Sequence, residues 1–197
     1  MNDVAIPAIL LVPGLRDHMA AHWQTLLEER LPNATAVPRM ERDKLSCAAW
    51  VAKLDESLAA IDGPVILVAH SAGVMITVHW ALRNRRPIAG ALLAAPPDFE
   101  SPLPEGYPTP DTLRQNGWLP TPRKRLPFPS IVAASANDPL ARYERVEELA
   151  LAWGGTLVNL GNVGHLNPAS GYGEWPQAEV FIRELASASA SASAIQA

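Results

Sequence analysis

Apolar residues along this chain fall into two alternating patterns: short runs that are apolar at nearly every position, and longer stretches that are apolar at every third or fourth. The unbroken runs are Ile9 to Val12, Val65 to Val68, Gly90 to Ala94, Ser130 to Ala134 and Thr156 to Leu160, with a weaker candidate at Ala34 to Val37. Runs this short, apolar throughout and bounded by turn residues, read as strands buried on both faces. Between them Met19, Trp23, Leu26, Leu27 and Leu31 share one helical face, as do Trp50, Leu54, Leu58 and Ile61, and later Tyr143, Val146, Ala150 and Trp153. Ser46 suits the N-cap of the second stretch, Gly154-Gly155 the end of the fourth helix, and Pro176 the first turn of the last, whose stripe is Ala178, Phe181, Ile182 and Leu185. Buried strands alternating with amphipathic helices predict a three-layer α/β/α fold with a mostly parallel, doubly wound sheet of about six strands.

A length of 197 residues suits one domain. Its expected extent is residues 1–186. Residues 187–197 are rich in Ser and Ala, offer nothing large to bury, and read as a disordered tail. With 48% hydrophobic and 18% charged residues, the chain is neither a disordered nor a fibrous sequence. A net charge of -4 gives no reason to expect nucleic acid or an anionic membrane as a partner. Two basic clusters, Arg83, Arg85 and Arg86, then Arg123, Lys124 and Arg125, read as solvated surface. The single cysteine, Cys47, excludes an intrachain disulfide and fits a reducing cytoplasm; its place in a helical pattern marks it as packing. Ala5 to Val12 is too short to span a bilayer and has no basic flank, so no targeting signal is expected.

In a doubly wound sheet ligands bind beyond the carboxyl ends of the strands, so chemistry belongs to the residues that follow each apolar run. There the chain carries Pro13-Gly14-Leu15-Arg16, Ser71, Pro96-Pro97-Asp98, Asn137-Asp138 and Gly164-His165. Val68-Ala69-His70-Ser71-Ala72-Gly73 sets a serine between small residues where strand runs into helix, the pattern of a nucleophile elbow. Strand and helix crowd two residues before and after the serine. Gly73 meets that demand, and Ala69 brings one methyl more than the G-x-S-x-G pattern allows.

A serine hydroxyl is a poor nucleophile at neutral pH and needs a neutral imidazole as base, held in its tautomer by an acid. Ser71, Asp138 and His165 supply these parts, in the chain order of α/β-hydrolases. Asp98 is the competing acid, and Asp138 has a second reading as a plain helix cap. The backbone N–H groups of Ala72 and Leu15 are the expected oxyanion hole. His70 is expected to point away from the serine and His79 to lie inside a buried helix. No Cys or carboxylate at ligand spacing joins His18 and His22, so neither metal nor cofactor is expected.

With these residues in view, the chain resembles the small serine hydrolases of the family that includes retinoblastoma-binding protein 9 and the YdeN-like proteins. The resemblance rests on Leu11-Val12-Pro13-Gly14 with His22-Trp23, the segment Val68 to Gly73, Ser135-Ala136-Asn137-Asp138-Pro139, and Gly164-His165-Leu166-Asn167 running on to Ser170-Gly171-Tyr172-Gly173-Glu174-Trp175-Pro176. It implies a compact α/β-hydrolase with Ser71 as nucleophile, Asp138 as acid and His165 as base. It also implies that partner binding is a function to consider, as for some members.

Serine at the elbow argues against dehalogenase or epoxide-hydrolase chemistry, which needs a carboxylate there. The expected activity is hydrolysis of a small carboxylic ester or short amide through an acyl-enzyme, with a small molecule as substrate. The alternatives are a non-catalytic protein-binding member with a vestigial triad, and acyl transfer to an acceptor other than water. Between Phe99 and Phe128 the chain is rich in proline and carries Tyr107 and Trp118. This stretch reads either as a short cap with apolar groups facing the acyl chain or as a rigid surface loop.

Overall fold

The computed structural model describes residues 7–15, 19–84 and 86–195. Arg16, His18 and Arg85 lie outside them, as do the last two residues of the expected tail. Six strands, β1 (Ala8–Val12), β2 (Ala34–Ala36), β3 (Val65–His70), β4 (Gly90–Ala94), β5 (Ser130–Ala134) and β6 (Thr156–Asn159), form one sheet in the order β2-β1-β3-β4-β5-β6. Every neighbouring pair is parallel. The helices are α1 (Trp23–Arg30), α2 (Cys47–Ala59), α3 (Ala72–Arg83), α4 (Pro110–Gln115), α5 (Tyr143–Trp153) and α6 (Gln177–Ile195). From β1 the chain steps outward to β2, then returns to β3 on the other side and winds onward. The switch point therefore lies between β1 and β3, where the crevice for a ligand opens.

The central strands β3, β4 and β5 are buried at every position, whereas the edge strands β2 and β6, expected to be covered on both faces, are half-exposed and carry Thr35, Thr156 and Asn159. Leu10, Val12, Leu67 and Ala69 face one core cluster with Trp50 and Leu54 of α2, Val74 and Val78 of α3, and Val146 and Trp153 of α5. Ile9, Leu11, Ile66 and Val68 face the other, with Trp23 and Leu27 of α1 and Phe181, Ile182 and Leu185 of α6. Each such side chain contributes ~1.5–3 kcal/mol by leaving water. The caps agree with expectation: Ser46 Oγ accepts from Ala49 N at 3.2 Å, and Gly154 ends α5 in the left-handed region at φ 70°. Among the described residues no helix is long and apolar enough to cross a membrane.

The structure departs from the sequence reading in three places. Helix α1 starts four residues after Met19, because His22 takes the N-cap and its Nδ1 accepts from Gln24 N at 3.2 Å. The proline-rich stretch contains α4, capped by Thr109, whose side chain accepts from Thr112 N, with Pro110 in the first turn. The Ser/Ala stretch expected as a disordered tail continues α6 to Ile195. Alanine is the best helix former, and a helix already anchored by Ala178 to Leu185 extends without a new nucleation cost. Its serines fold back on the helix: Ser187 Oγ donates to Arg183 O at 2.9 Å and Ser191 Oγ to Ser187 O at 3.0 Å.

Candidate active site

Strand β3 ends at His70, and the chain turns at Ser71 with φ 56° and ψ -127° before α3 begins. A positive φ at a non-glycine residue costs ~1–3 kcal/mol and persists only where its surroundings enforce it. They do so here. Ser71 N donates to Ala94 O at 3.0 Å, Val74 N donates to Ser71 O at 2.9 Å, and α3 packs against the end of β1. A Cβ on Gly73 would stand 2.1 Å from Val12 O and 2.8 Å from Pro13 O, so this position admits glycine alone. Ala69 is fully buried, its methyl absorbed by the core on the α2 and α3 side.

Ser71, Asp138 and His165 meet in one hydrogen-bonded line. Ser71 Oγ lies 2.8 Å from His165 Nε2, and His165 Nδ1 lies 2.8 Å from Asp138 Oδ2 and 3.0 Å from Oδ1. The acid fixes the proton on Nδ1, leaving Nε2 to accept the serine hydroxyl. Asp138 also accepts from Leu140 N at 2.9 Å in the turn that precedes α5, whose N-cap is Arg142, so Asp138 is not the helix cap. Asp98, the competing acid, is spent elsewhere. It accepts from Ser101 Oγ at 2.6 Å and Glu100 N at 3.1 Å, and pairs with Arg145.

The loops that carry Asp138 and His165 are cross-linked. Gly164 N donates to Asn137 Oδ1 at 2.7 Å, and Ser135 Oγ donates to the same oxygen at 3.0 Å. His165 N donates to Ser170 Oγ at 3.0 Å, which in turn donates to Asn167 Oδ1 at 2.9 Å. Gly164 takes φ 57° beneath Ser170, where a Cβ would stand 2.5 Å from its Oγ. Gln24 anchors α1 at the switch point by donating to Val12 O at 3.2 Å and Val68 O at 2.9 Å. Residue-type reasoning missed Gln24, Asn137 and Ser170 as site residues, although Asn137 and Ser170 fall inside the segments that carry the family resemblance.

His70, which lines the same pocket as Ser71, contacts His165. Its Nε2–H donates to His165 O at 2.9 Å, and the two rings lie 4.9 Å apart. Burial holds His70 well below the usual histidine range, and the neighbouring His165 and His22 add to the effect. His79 is buried in α3 as expected, where its Nε2–H donates to Trp118 O at 3.1 Å.

Leu15 and Ala72 line the same pocket as Ser71. A Cβ on Gly14 would stand 3.2 Å from Ser71 Cβ and 3.5 Å from its Oγ, so the turn after β1 runs against the serine. Among the described residues neither the Leu15 nor the Ala72 N–H has a protein acceptor. Ala72 also opens α3, at the positive end of the helix dipole.

Above Ser71 lies a cavity of about 300 Å³, walled mainly by Leu45, Phe99, Leu103, Tyr107 and Leu140. The proline-rich stretch lines it through Phe99, Leu103, Gly106, Tyr107 and Pro108, the placement that the cap reading expects. Tyr107 faces the cavity, but Trp118 does not. It is fully buried, stacks edge-on against Phe99 at 5.5 Å, and donates from Nε1 to Leu45 O at 2.7 Å. Trp118 thus anchors the cap, because its indole N–H needs a buried acceptor that the apolar cavity does not offer. Glu100 ties the cap to α5 through Arg145 and to the cap's own later turn through Arg123, whose guanidinium foremost holds its carboxyl below the usual range.

Cys47 opens α2 away from the cavity, and burial pushes its thiol up to about 11. Among the described residues no group of three His, Cys, Asp or Glu side chains could hold a metal ion.

Residues 9–184 match the family model described as serine hydrolase. No curated protein sequence matches closely enough to count as a relative. Among solved structures, a YdeN-like hydrolase from Pectobacterium atrosepticum is 30% identical over 92% of this chain and 90% of its own, with a TM-score of 0.75. The ydeN gene product of B. subtilis is 18% identical over 92% of this chain and all of its own (TM-score 0.72). Est1E from Butyrivibrio proteoclasticus, whose structure holds ferulic acid, is 12% identical over 94% of this chain and 89% of its own (TM-score 0.66). The last two likenesses show the α/β-hydrolase fold, whereas the family match and the Pectobacterium relative go further: this chain is a hydrolase belonging to the serine hydrolase family.

Proposed function

We propose that the protein hydrolyses small carboxylic esters or short amides, with Ser71 as nucleophile, His165 as general base and acid, and Asp138 as the group that orients His165. The observation that carries this reading is the unbroken line from Asp138 through His165 to Ser71, with 2.8 Å at each contact, its Ser71 and His165 lining a largely apolar cavity. As Ser71 Oγ attacks the acyl carbon, its proton passes to His165 Nε2. Asp138 stabilises the imidazolium that forms. The carbonyl oxygen gains negative charge and is held by the N–H groups of Ala72 and Leu15, two residues that line the pocket beside Ser71 and whose N–H groups have no acceptor among the described residues. Collapse of this adduct breaks the bond to the leaving alcohol or amine, and His165 returns the proton to it. Water then repeats the sequence on the acyl-enzyme and frees the acid.

A cavity of about 300 Å³ lies at the small end of ligand pockets and fits a short acyl group better than a lipid chain. The apolar walls leave binding to burial of that group rather than to charge. A small-molecule substrate rather than nucleic acid or membrane, and a reducing cytoplasmic setting for the one cysteine, complete the reading. The test is hydrolysis of p-nitrophenyl esters of increasing acyl length beside short aminoacyl amides, with S71A as control. The reading expects turnover that falls once the acyl chain outgrows the cavity and that S71A abolishes. Turnover equal in S71A overturns it.

A further inference from the structure

We infer that His70 is a positioning residue for the proposed base: its Nε2–H grips the backbone carbonyl of His165 and fixes the direction in which that imidazole points. This rests on the triad reading above.

His165 is held by three kinds of contact, each from a different part of the fold. Asp138, after β5, takes Nδ1. Ser170, later in the same loop, takes the backbone N–H at 3.0 Å. His70, the last residue of β3, takes the backbone C=O at 2.9 Å. The last contact has a consequence the other two lack, because His70 is covalently joined to Ser71. The strand that delivers the nucleophile thereby also delivers the hydrogen bond that sets the base, and the two reacting residues share one reference frame.

The backbone around His165 requires such a grip. Leu166 follows at φ 48°, a conformation a bulky L residue rarely adopts and that its surroundings must hold. His165 is only 4% exposed and the hydrogen bond to its carbonyl is buried, where a carbonyl needs a donor. His70, itself 4% exposed, is the donor present.

The neutral ring suffices for this role. Because Nε2 carries the proton that the carbonyl accepts, neutral His70 is the Nε2–H tautomer. The titratable groups that face it are His165 and, from the turn before α1, His22, whose ring lies 4.7 Å away. Both disfavour a charge on His70, so the grip does not place a fixed cation beside the base.

The experiment compares full-length wild type with H70F, H70Q and H70N in p-nitrophenyl acetate hydrolysis and in the rate of fluorophosphonate labelling, beside thermal melting. The Gln amide nitrogen reaches the place of the imidazole Nε2, whereas the Asn amide falls short of it. Small misplacements of reacting groups cost up to ~100-fold, so H70F and H70N are expected to lose ~10- to 100-fold in kcat and labelling rate at little change in KM. H70Q is expected to recover most of that loss. A folded H70F with wild-type kcat overturns the inference, as does an H70Q no faster than H70N. Should H70F fail to melt cooperatively, the H70Q and H70N pair decides. A wild type unreactive toward both reagents overturns the triad reading itself.

Discussion

Asn137 and Gly164 are joined by a 2.7 Å hydrogen bond, Gly164 N to Asn137 Oδ1, and each stands one residue before a proposed member of the triad. The bond locks the loop after β5 to the loop after β6, so Asp138 and His165 move as one body. Replacing Asn137 with Ala removes the acceptor of the Gly164 N–H in an exposed bond, at ~1 kcal/mol of stability or less. The larger effect is expected on turnover, a loss of about tenfold in kcat as the acid and base lose register. Steady-state kinetics and urea unfolding of N137A measure the two separately. Wild-type kcat in this variant means the loops are held by other contacts.

The two acids after neighbouring strands are distinguished by their partners. Asp138 contacts His165, while Asp98 serves Ser101, Glu100 and Arg145. D138N keeps the shape but loses the charge and the acceptor pattern that hold the Nδ1–H tautomer, and is expected to lower kcat by on the order of 10⁴, as loss of the orienting acid does in serine proteases. D98N is expected to keep most of its turnover and to lose stability through the cap. Assaying both against one ester decides between them, and the opposite ranking refutes the assignment.

Gly73 and Ala69 flank the elbow under different demands. A Cβ at residue 73 would collide with two backbone oxygens of the β1 end, which cannot swing aside as a side chain does. G73A is expected to lose ~3 kcal/mol or more in urea unfolding, and its labelling by serine-directed probes with it. A69G removes a buried methyl and loosens a strand, at ~1 kcal/mol, while labelling persists. A stable, reactive G73A contradicts the crowding read from the structure.

How far the sequence reaches depends on whether a signal is local. The β4 and β5 runs match the strands residue for residue, because strands covered on both faces leave no polar positions to blur their ends. The rim rule and the serine-centred hexapeptide together locate Ser71, Asp138 and His165. Helix α1 was misplaced at its start because its N-cap is a histidine, not one of the usual Ser, Thr, Asp or Asn signals. The tail was misread because composition reports what a segment can bury and says little about a helix extended from an anchored one. Trp118 and His70 were invisible as anchors for one reason: their partners, Leu45 O and His165 O, are backbone carbonyls remote in sequence, and no side-chain pattern marks a carbonyl.

Cys47 makes stability pH-dependent in a defined direction. Its folded pKa, about 11, lies above the ~8.5 of a free thiol, with burial the leading cause and Arg83 opposing it. The fold therefore favours the neutral thiol. That contribution is complete below about pH 8.5 and disappears as the pH rises toward 11. The difference in unfolding free energy between wild type and C47A, measured from pH 8 to 10.5, is expected to shrink at the alkaline end. A difference that grows with pH contradicts the buried thiol.

The central claim, an activated serine at residue 71, is tested most directly by intact-mass analysis after incubating wild type, S71A and H165A with a fluorophosphonate. A single adduct on wild type, absent from S71A and formed far more slowly on H165A, is the expected result, because Ser71 would then owe its reactivity to His165. A well-folded wild type that gains no mass, or an S71A that gains as much as wild type, contradicts the account.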